Sequence, residues 1–189
     1  MSALNNVSET KHDNNTKSGF VETCFEWVGA AVIALVVVSL LVTMLCRIVS
    51  VSGDSMTHTF KNGERLILSS VVQQPKYGDV VVIRREGDTP LIKRVIGLPG
   101  DKIFITEDGV VMRNDEPVPN EEEYIRGEGT PRKGMNSMYI VPEGGIFVLG
   151  DNRGDSLDSR MLQDRIRMKD VVGVVTFRLT PFEFLRNGD

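Results

Sequence analysis

The sequence lacks the residues that several common kinds of site and scaffold require. It has two cysteines, Cys24 and Cys46, and two histidines, His12 and His58. No cysteine follows residue 46, so the rest of the chain must hold together by its core rather than by disulfides. No His/Cys cluster has metal-ligand spacing, and no glycine-rich loop has the phosphate-binding pattern. We therefore expect no metal and no other cofactor.

The chain also lacks an excess of basic residues. Its formal net charge is −4, and basic clusters are few. A nucleic-acid-binding protein would be expected to carry a positive patch. The charge pattern therefore predicts no nucleic-acid partner.

One long apolar run is present. Residues 27–46 contain no charge and are bracketed by Glu26 and Arg47. A helix of about 20 residues matches the hydrocarbon thickness of a bilayer, and Trp27 suits an interfacial anchor. The alternative is a cleaved signal peptide, but the run is longer than the roughly 7–15 residues usual for one. The sequence predicts one retained transmembrane helix in the lipid bilayer.

The two flanking regions differ in character. Residues 1–22 are rich in Asn, Ser, Thr and Lys without periodicity and predict a disordered tail. Residues 48–189 contain short β-branched runs separated by Gly, Pro and Asp. Regular short strands without alternating helices indicate an all-β sandwich or a partly open antiparallel barrel.

Turn residues divide this β region into candidate elements. The polar stretch 121–136 is predicted to be an exposed loop, and 157–164 a short helix or helical turn. The candidate strands cover residues 65–72, 79–84, 91–97, 102–106, 110–113, 138–141, 145–149 and 171–179.

Lys93 is a charge inside an apolar run. If residues 91–97 form a strand, Lys93 shares a face with Leu91 and Val95. Desolvation there would lower its pKa, and a shift from about 10.4 to about 7 costs roughly 4–5 kcal/mol. A neutral amine is useful mainly as a general base, whereas the plain alternative is an ammonium that reaches water at the strand end.

Two further segments carry candidate chemistry. Gly53 precedes Ser55 in a loop where backbone amides could stabilise an oxyanion, although most such serines only cap turns. Residues 150–160 concentrate acids, amides, arginines and serines. This second segment is either a hydrogen-bonded turn with local ion pairs or a scaffold that orients catalytic groups.

A serine nucleophile needs a positioned base. His58 is three residues from Ser55, and a histidine so near in a loop would have difficulty reaching the serine at the right angle. Lys93 is the better candidate, because Ser-Lys dyads are a known variant of the catalytic triad.

Three sequence blocks after the apolar run resemble bacterial type I signal peptidases. They are SGDSM with Thr59, IKRVIGLPGD at residues 92–101, and GDNRGDSLDSR at residues 150–160, with a further match at 78–82. The resemblance covers roughly residues 21–185 and implies a signal-peptidase-like antiparallel β domain without a large inserted second domain. Lysine at position 93 fits the bacterial members rather than the eukaryotic ones, which carry histidine there.

The resemblance implies two catalytic residues and three residues that support them. Ser55 matches the nucleophile that forms the acyl-enzyme, and Lys93 matches its general base. Ser156 matches the hydroxyl that orients this lysine. Asp158 and Arg160 match a supporting ion pair.

The resemblance also implies residues that shape the site and bind substrate. Asp151 and Asn152 belong to the supporting loop, and the backbone amide of Ser55, beside Gly53, is expected to form the oxyanion hole. Large apolar side chains around a shallow pocket would admit only small substrate side chains. The residues matched to this pocket are Val51, Met56, Phe60, Leu91 and Ile92.

The implied protein is a membrane-bound serine endopeptidase. It would remove signal peptides from exported preproteins after small-x-small motifs. We expect a cytoplasmic tail at residues 1–22, a span at 27–46, and a catalytic domain at 48–189 on the outer face of the cell membrane. The charges flanking the span do not themselves indicate this orientation.

Two departures from the family pattern are visible. His58 stands where the family normally has proline, and Phe60 replaces a leucine. One alternative is an inactive homologue, but this chain keeps both Ser55 and Lys93. Another is a self-cleaving regulator of the SOS-repressor kind, which lacks a membrane anchor and usually carries a DNA-binding domain.

Overall fold

The structure, a computed structural model, divides the chain into two units at residues 1–44 and 45–189. The predicted tail at 1–22 lies outside the described residues. Those are 23–41, 43, 46–69, 74–125, 129–133, 135–162, 166–179 and 183–184.

The first unit contains a helix, α1 (Thr23–Leu41), that is long and apolar enough to cross a membrane. It begins four residues before the apolar run predicted from the sequence. Cys46, which we expected to end the span, instead begins a strand, β1 (Cys46–Ser50). The reason is pairing, because every residue of β1 has an antiparallel partner on a second strand, as in Ile48 with Ile67.

The second unit is built from antiparallel strands, which confirms the all-β prediction. In its described residues three short helical segments accompany them: α2 (Glu122–Ile125), α3 (Ser159–Leu162) and a 3₁₀ turn at Met168–Asp170. After β1 the strands are β2 (Arg65–Ser69), β3 (Val80–Ile83), β4 (Leu91–Gly97), β5 (Lys102–Ile105), β6 (Val111–Arg113), β7 (Glu116–Pro117), β8 (Tyr139–Ile140), β9 (Phe147–Leu149), β10 (Val171–Arg178) and β11 (Glu183–Phe184).

Among the described residues these strands form two sheets. The larger has the order β1-β2-β10-β3-β4-β9, with β11 paired to β10, and the smaller has the order β7-β6-β5-β8. All four residues of β3 are buried, since this β-branched strand lies between β10 and β4. Strand β1 was not predicted, because Cys46 was assigned to the span and only four residues of the strand, beginning with the charged Arg47, lie beyond it.

The registers of two strands fix the setting of Lys93 on β4. Val81 of β3 lies opposite Lys93, and Val82 lies opposite Ile92. Strand β9 pairs with β4 only from Arg94 onward, where Arg94 faces Leu149. The first three residues of β4 therefore have a paired strand on one side and none among the described strands on the other.

The prediction of an exposed loop at 121–136 is wrong for several of its residues. Glu121, Thr130 and Met135 are buried, and the segment includes α2. Its polar composition suggested solvent, but Arg153 forms a buried ion pair with Glu121 and also donates to the Thr130 hydroxyl. Burying a charge costs much less free energy when the charge is paired and hydrogen-bonded.

Candidate active site

Ser55 and Lys93 meet in the second unit. Lys93 Nζ lies 2.6 Å from Ser55 Oγ, and it also donates to the Ile92 carbonyl at 2.9 Å. Ser55 lies in the turn that follows β1, whereas Lys93 lies in the middle of β4. The alternation of side chains along β4 therefore directs the Lys93 amine toward Ser55, which is 38 positions earlier in the chain.

Lys93 is 2% exposed, which confirms its predicted burial. Burial lowers the pKa of Lys93 to about 8, against the opposing influence of Asp158 and Asp151, which raise it. Both acids are themselves paired with arginines, so their net effect on the lysine is reduced. A substantial fraction of Lys93 is consequently neutral in mildly alkaline solution.

Asp158 and Arg160 form an ion pair in which both side chains are fully buried. Arg160 Nε donates to Oδ1 at 2.8 Å, and its second nitrogen donates to Oδ2 at 2.7 Å. Burial alone would raise the pKa of Asp158, but Arg160 and neighbouring donors hold that pKa below its usual range. Fork-like pairing of this kind fixes the orientation of both groups.

Ser156 lies in the same loop, and its hydroxyl is buried. Within the described part of the chain this hydroxyl has no well-formed hydrogen bond, so the expected bond to Lys93 is not formed. The reason is that Lys93 Nζ is directed to Ser55 and to the Ile92 carbonyl. The Ser156 hydroxyl still lies close enough to Asp158 to lower the pKa of that carboxyl.

Asp151 and Asn152 hold the turn that carries Ser55. The Asn152 backbone amide donates to the Ser55 carbonyl at 3.0 Å, and its side-chain amide donates to the Asp54 carbonyl at 3.1 Å. The Asp151 carboxylate accepts a hydrogen bond from the Thr59 hydroxyl. The loop after β9 therefore grips both ends of the turn.

Asp151 is in turn held by Arg94, the residue after Lys93. Arg94 Nε lies 2.9 Å from Oδ1 and its second nitrogen lies 2.7 Å from Oδ2, while its third nitrogen donates to the Gly78 carbonyl. No role for Arg94 was predicted from the sequence. The available signal was its position next to Lys93 on β4, where its side chain points to the opposite face, together with an acid-rich loop that could pair with it.

The residues matched to a substrate pocket divide between two clusters. Leu91, which is partly buried, packs against a different cluster from the others. Four share one buried cluster: Val51, Met56, Phe60 and Ile92.

The backbone of the turn is unusual at two positions. Gly53 is exposed, with φ of +87°, and its amide donates to the Asn62 side chain at 3.3 Å. His58 has φ of +90°, a left-handed conformation that proline cannot adopt. A proline at position 58, as in the family pattern, would therefore require a different backbone path.

The other end of the turn is braced from β10. An Arg178 side-chain nitrogen donates to the Thr59 carbonyl, and its guanidinium carbon lies 5.1 Å from the centre of the Phe60 ring. This role of Arg178 was not predicted from the sequence. Within the described ranges, no group of three or more His, Cys, Asp and Glu side chains could hold a metal ion.

Comparison with known proteins places the chain in a family. Residues 24–180 match the family model described as signal peptidase, peptidase S26. Signal peptidase I of Bacillus licheniformis is 35% identical over 97% of this chain and 100% of its own length. Signal peptidase IB of Staphylococcus aureus (strain COL) is 33% identical over 86% of this chain and 93% of its own.

The chain is also similar to a solved structure. That structure is of a signal peptidase I from Enterococcus faecalis V583, with a TM-score of 0.46 and 29% identity, covering 55% of this chain and 97% of that one. The family consists of membrane-associated serine peptidases that process signal peptides, and α1 is a candidate anchor. The chain therefore belongs to the signal peptidase family, peptidase S26, and is a serine peptidase.

Proposed function

We propose that the protein removes signal peptides from exported preproteins, using Ser55 as nucleophile and Lys93 as general base. The observation that carries this proposal is the 2.6 Å separation of Lys93 Nζ and Ser55 Oγ, with Lys93 buried and its pKa lowered to about 8. Serine becomes an effective nucleophile when a neighbouring base accepts its proton.

Neutral Lys93 takes the proton of Ser55 as Oγ attacks the scissile carbonyl carbon. The protonated lysine then gives this proton to the leaving amine, and an acyl-enzyme remains on Ser55. Lys93 next removes a proton from water, which attacks the ester carbonyl carbon. The protonated lysine returns this proton to Ser55 Oγ as the ester bond breaks and the product leaves. The same amine thus serves as base and then acid in each half of the reaction.

Stabilisation of the oxyanion that forms on the substrate is assigned to the backbone amide of Ser55. This amide donates no hydrogen bond to any residue of the described part of the chain, so it is available to a substrate oxygen. The Gly53 amide is less suitable because it donates to Asn62. A free donor fixed by a braced turn stabilises developing charge without reorganisation.

Ser156 is assigned the orientation of protonated Lys93. An ammonium group carries three donors, and Ser55 Oγ and the Ile92 carbonyl accept two of them. The Ser156 hydroxyl is buried and lacks a well-formed partner among the described residues. It is therefore the acceptor that we assign to the third donor.

Substrate specificity is assigned to the edge of β4 and to the apolar side chains near Ser55. The substrate lies extended beside residues 91–93, where β4 has no described partner on one side. Val51, Met56, Phe60 and Ile92 are packed together near this edge, which leaves room only for small side chains beside the scissile bond. Cleavage is therefore expected after small-x-small motifs.

The helix α1 is proposed to span the membrane, with the tail in the cytoplasm and the second unit on the outer face. Support for the span comes from the length and composition of α1. A signal peptide also has an apolar region that resides in the bilayer, so a tethered enzyme meets it at a raised effective concentration.

The test is preprotein cleavage by the full-length protein in lipid vesicles, compared with Ser55→Ala and Lys93→Ala. Both variants should lose processing, and mass analysis of the wild-type product should locate the cut after a small residue. A matched preprotein with Leu in place of that small residue should remain intact. Equal processing by wild type and both variants would overturn the proposed mechanism.

A further inference from the structure

The segment 121–125 supplies a side chain that contacts the strand of the candidate base. Tyr124 belongs to α2 and is partly buried. The guanidinium carbon of Arg94 lies 4.2 Å from the centre of the Tyr124 ring. At this distance an arginine over a ring face is attracted by the ring quadrupole, and more strongly where water is excluded.

Arg94 links this ring to both halves of the candidate site. Arg94 follows Lys93 directly on β4. Two of its guanidinium nitrogens donate to the Asp151 carboxylate oxygens at 2.9 and 2.7 Å. Asp151 accepts from Thr59, and the next residue, Asn152, holds the Ser55 carbonyl. A change in the position of the Arg94 guanidinium is therefore transmitted to the turn that carries Ser55.

The same short segment is fixed to the loop after β9 by a second arginine. Arg153 forms a buried ion pair with Glu121, and its guanidinium carbon lies 6.0 Å from the centre of the Tyr124 ring. Arg153 Nε also donates to the Gly150 carbonyl at 2.9 Å. Tyr124 is thus held against Arg94 by an anchor in the loop that contains Asp151 and Asp158.

The Tyr124 ring is suited to a lasting contact with a cation. Burial raises the pKa of its hydroxyl, so the phenol stays neutral across the working pH range. The contact therefore depends on the aromatic face rather than on an opposite charge. Phenylalanine at this position would provide the same face.

We propose that Tyr124 is a positioning residue, whose ring holds Arg94 in the orientation that fixes Asp151 and the Ser55 turn. This inference rests on the proposed function, since it concerns the geometry of the Ser55–Lys93 pair. Without the ring, the Arg94 guanidinium is held less firmly, so it neutralises the negative charge of the Asp151 carboxylate less completely. The charged groups facing Lys93 are Asp151 and Asp158 from the loop after β9, so a less compensated Asp151 favours protonated Lys93.

The experiment compares Tyr124→Met with Tyr124→Phe in the full-length protein, using preprotein cleavage across pH. Methionine fills much of the space without an aromatic face. We expect Tyr124→Met to lower kcat by about 3- to 30-fold, the range that one cation–π contact represents. Its acidic limb should also move to higher pH, with KM nearly unchanged, while Tyr124→Phe should match the wild type.

Tyr139→Met is the matched control. Tyr139 packs against Phe147, with ring centres 5.7 Å apart, in a cluster that does not contain Lys93 or Ser55. This variant loses an aromatic contact and some stability, but its kcat and acidic limb should stay at wild-type values. Melting temperatures recorded for all variants separate a loss of folded protein from a loss of rate.

The outcomes distinguish this inference from the proposed function. An unmoved acidic limb in Tyr124→Met, or an equal loss in Tyr124→Phe, would overturn the positioning role. If Tyr124→Met does not fold, Tyr124→Leu is measured by the same criteria, and Tyr124→Phe alone still overturns the role if it is impaired. Ser55→Ala and Lys93→Ala, run alongside, report separately whether the proposed mechanism holds.

Discussion

A Cβ atom on Gly150 would lie 2.5 Å from the carbonyl oxygen of Ser55. Such a contact is shorter than any that real Cβ atoms make, and the oxygen belongs to backbone that cannot swing away. The loop after β9 can therefore close on the Ser55 turn only because residue 150 has no side chain.

Gly150→Ala should separate this loop from the Ser55 turn and strongly reduce activity. A misplacement of about 1 Å at a reacting group can cost roughly 10²-fold in rate, so we expect a loss of that order in kcat. The control is Gly154→Ala in the same loop, where the nearest atom to the added Cβ is 4.0 Å away. Equal activity of the two variants would contradict the close fit.

Lys93→Met should abolish cleavage and raise stability at neutral pH. Lowering the pKa of Lys93 from 10.5 to about 8 means that the protonated side chain is costly in the folded protein below pH 8. At 1.36 kcal/mol per unit this cost is roughly 3 kcal/mol, and it disappears as pH rises past 10.5. Methionine keeps the length of the side chain without the charge.

Denaturant unfolding of wild type and Lys93→Met at pH 7 and at pH 10.5 measures this effect. The stability advantage of the variant should shrink at the higher pH, where wild-type Lys93 is neutral in the folded state. Ser55→Ala is the control, because it also removes the proposed activity but leaves the lysine in place. A Lys93→Met protein less stable than Ser55→Ala at pH 7 would exclude a desolvation cost at Lys93.

The pH dependence of cleavage should respond in opposite directions to the two partners of the buried ion pair. Activity requires neutral Lys93, so the wild-type acidic limb should lie near pH 8. Asp158 raises the pKa of Lys93, so Asp158→Asn should move the limb to lower pH. Arg160→Ala leaves Asp158 uncompensated and should move the limb to higher pH.

Both variants of this pair should be destabilised, by about 3–5 kcal/mol where a buried charge is left alone. Rates must therefore be measured well below each melting temperature. Shifts of the same sign in the two variants would show that Asp158 and Arg160 do not act on Lys93 through their charges.

His58→Gly and His58→Pro should show whether the site requires the left-handed backbone conformation at position 58. With φ of +90°, glycine removes strain and should raise stability by about 1 kcal/mol, whereas proline cannot adopt this angle. Proline should lower both stability and kcat, because Thr59, its neighbour, donates to Asp151. A proline variant as stable and active as the wild type would show that the turn tolerates the other path.

Much of the second unit could be predicted from local patterns, and its long-range contacts could not. Residues 91–97 were predicted as a strand with its observed bounds, since β-branched runs between turn residues identify strands directly. Strand β1 was missed because Cys46 was assigned to the span and the four residues beyond it show no strand pattern long enough to identify. Only its partner β2 makes it a strand.

The candidate site divides in the same way. Ser55, Lys93 and the Asp158–Arg160 pair were found from sequence blocks, and the structure brings them together. The burial of Glu121 was not foreseen, because it depends on Arg153, which is 32 positions away. The expected bond from Ser156 to Lys93 is not formed, since the choice among several acceptors near one amine depends on packing.

The residues that brace the Ser55 turn are synthesised long after the turn itself. Asn152 lies 98 positions after the Asp54 carbonyl that it holds, and Arg178 lies 119 positions after Thr59. A ribosome-bound chain therefore exposes Ser55 long before the groups that would orient it exist. On the proposed mechanism, hydrolytic competence appears only after Arg178 has been added to the growing chain, which spares the nascent protein and its neighbours from premature cutting.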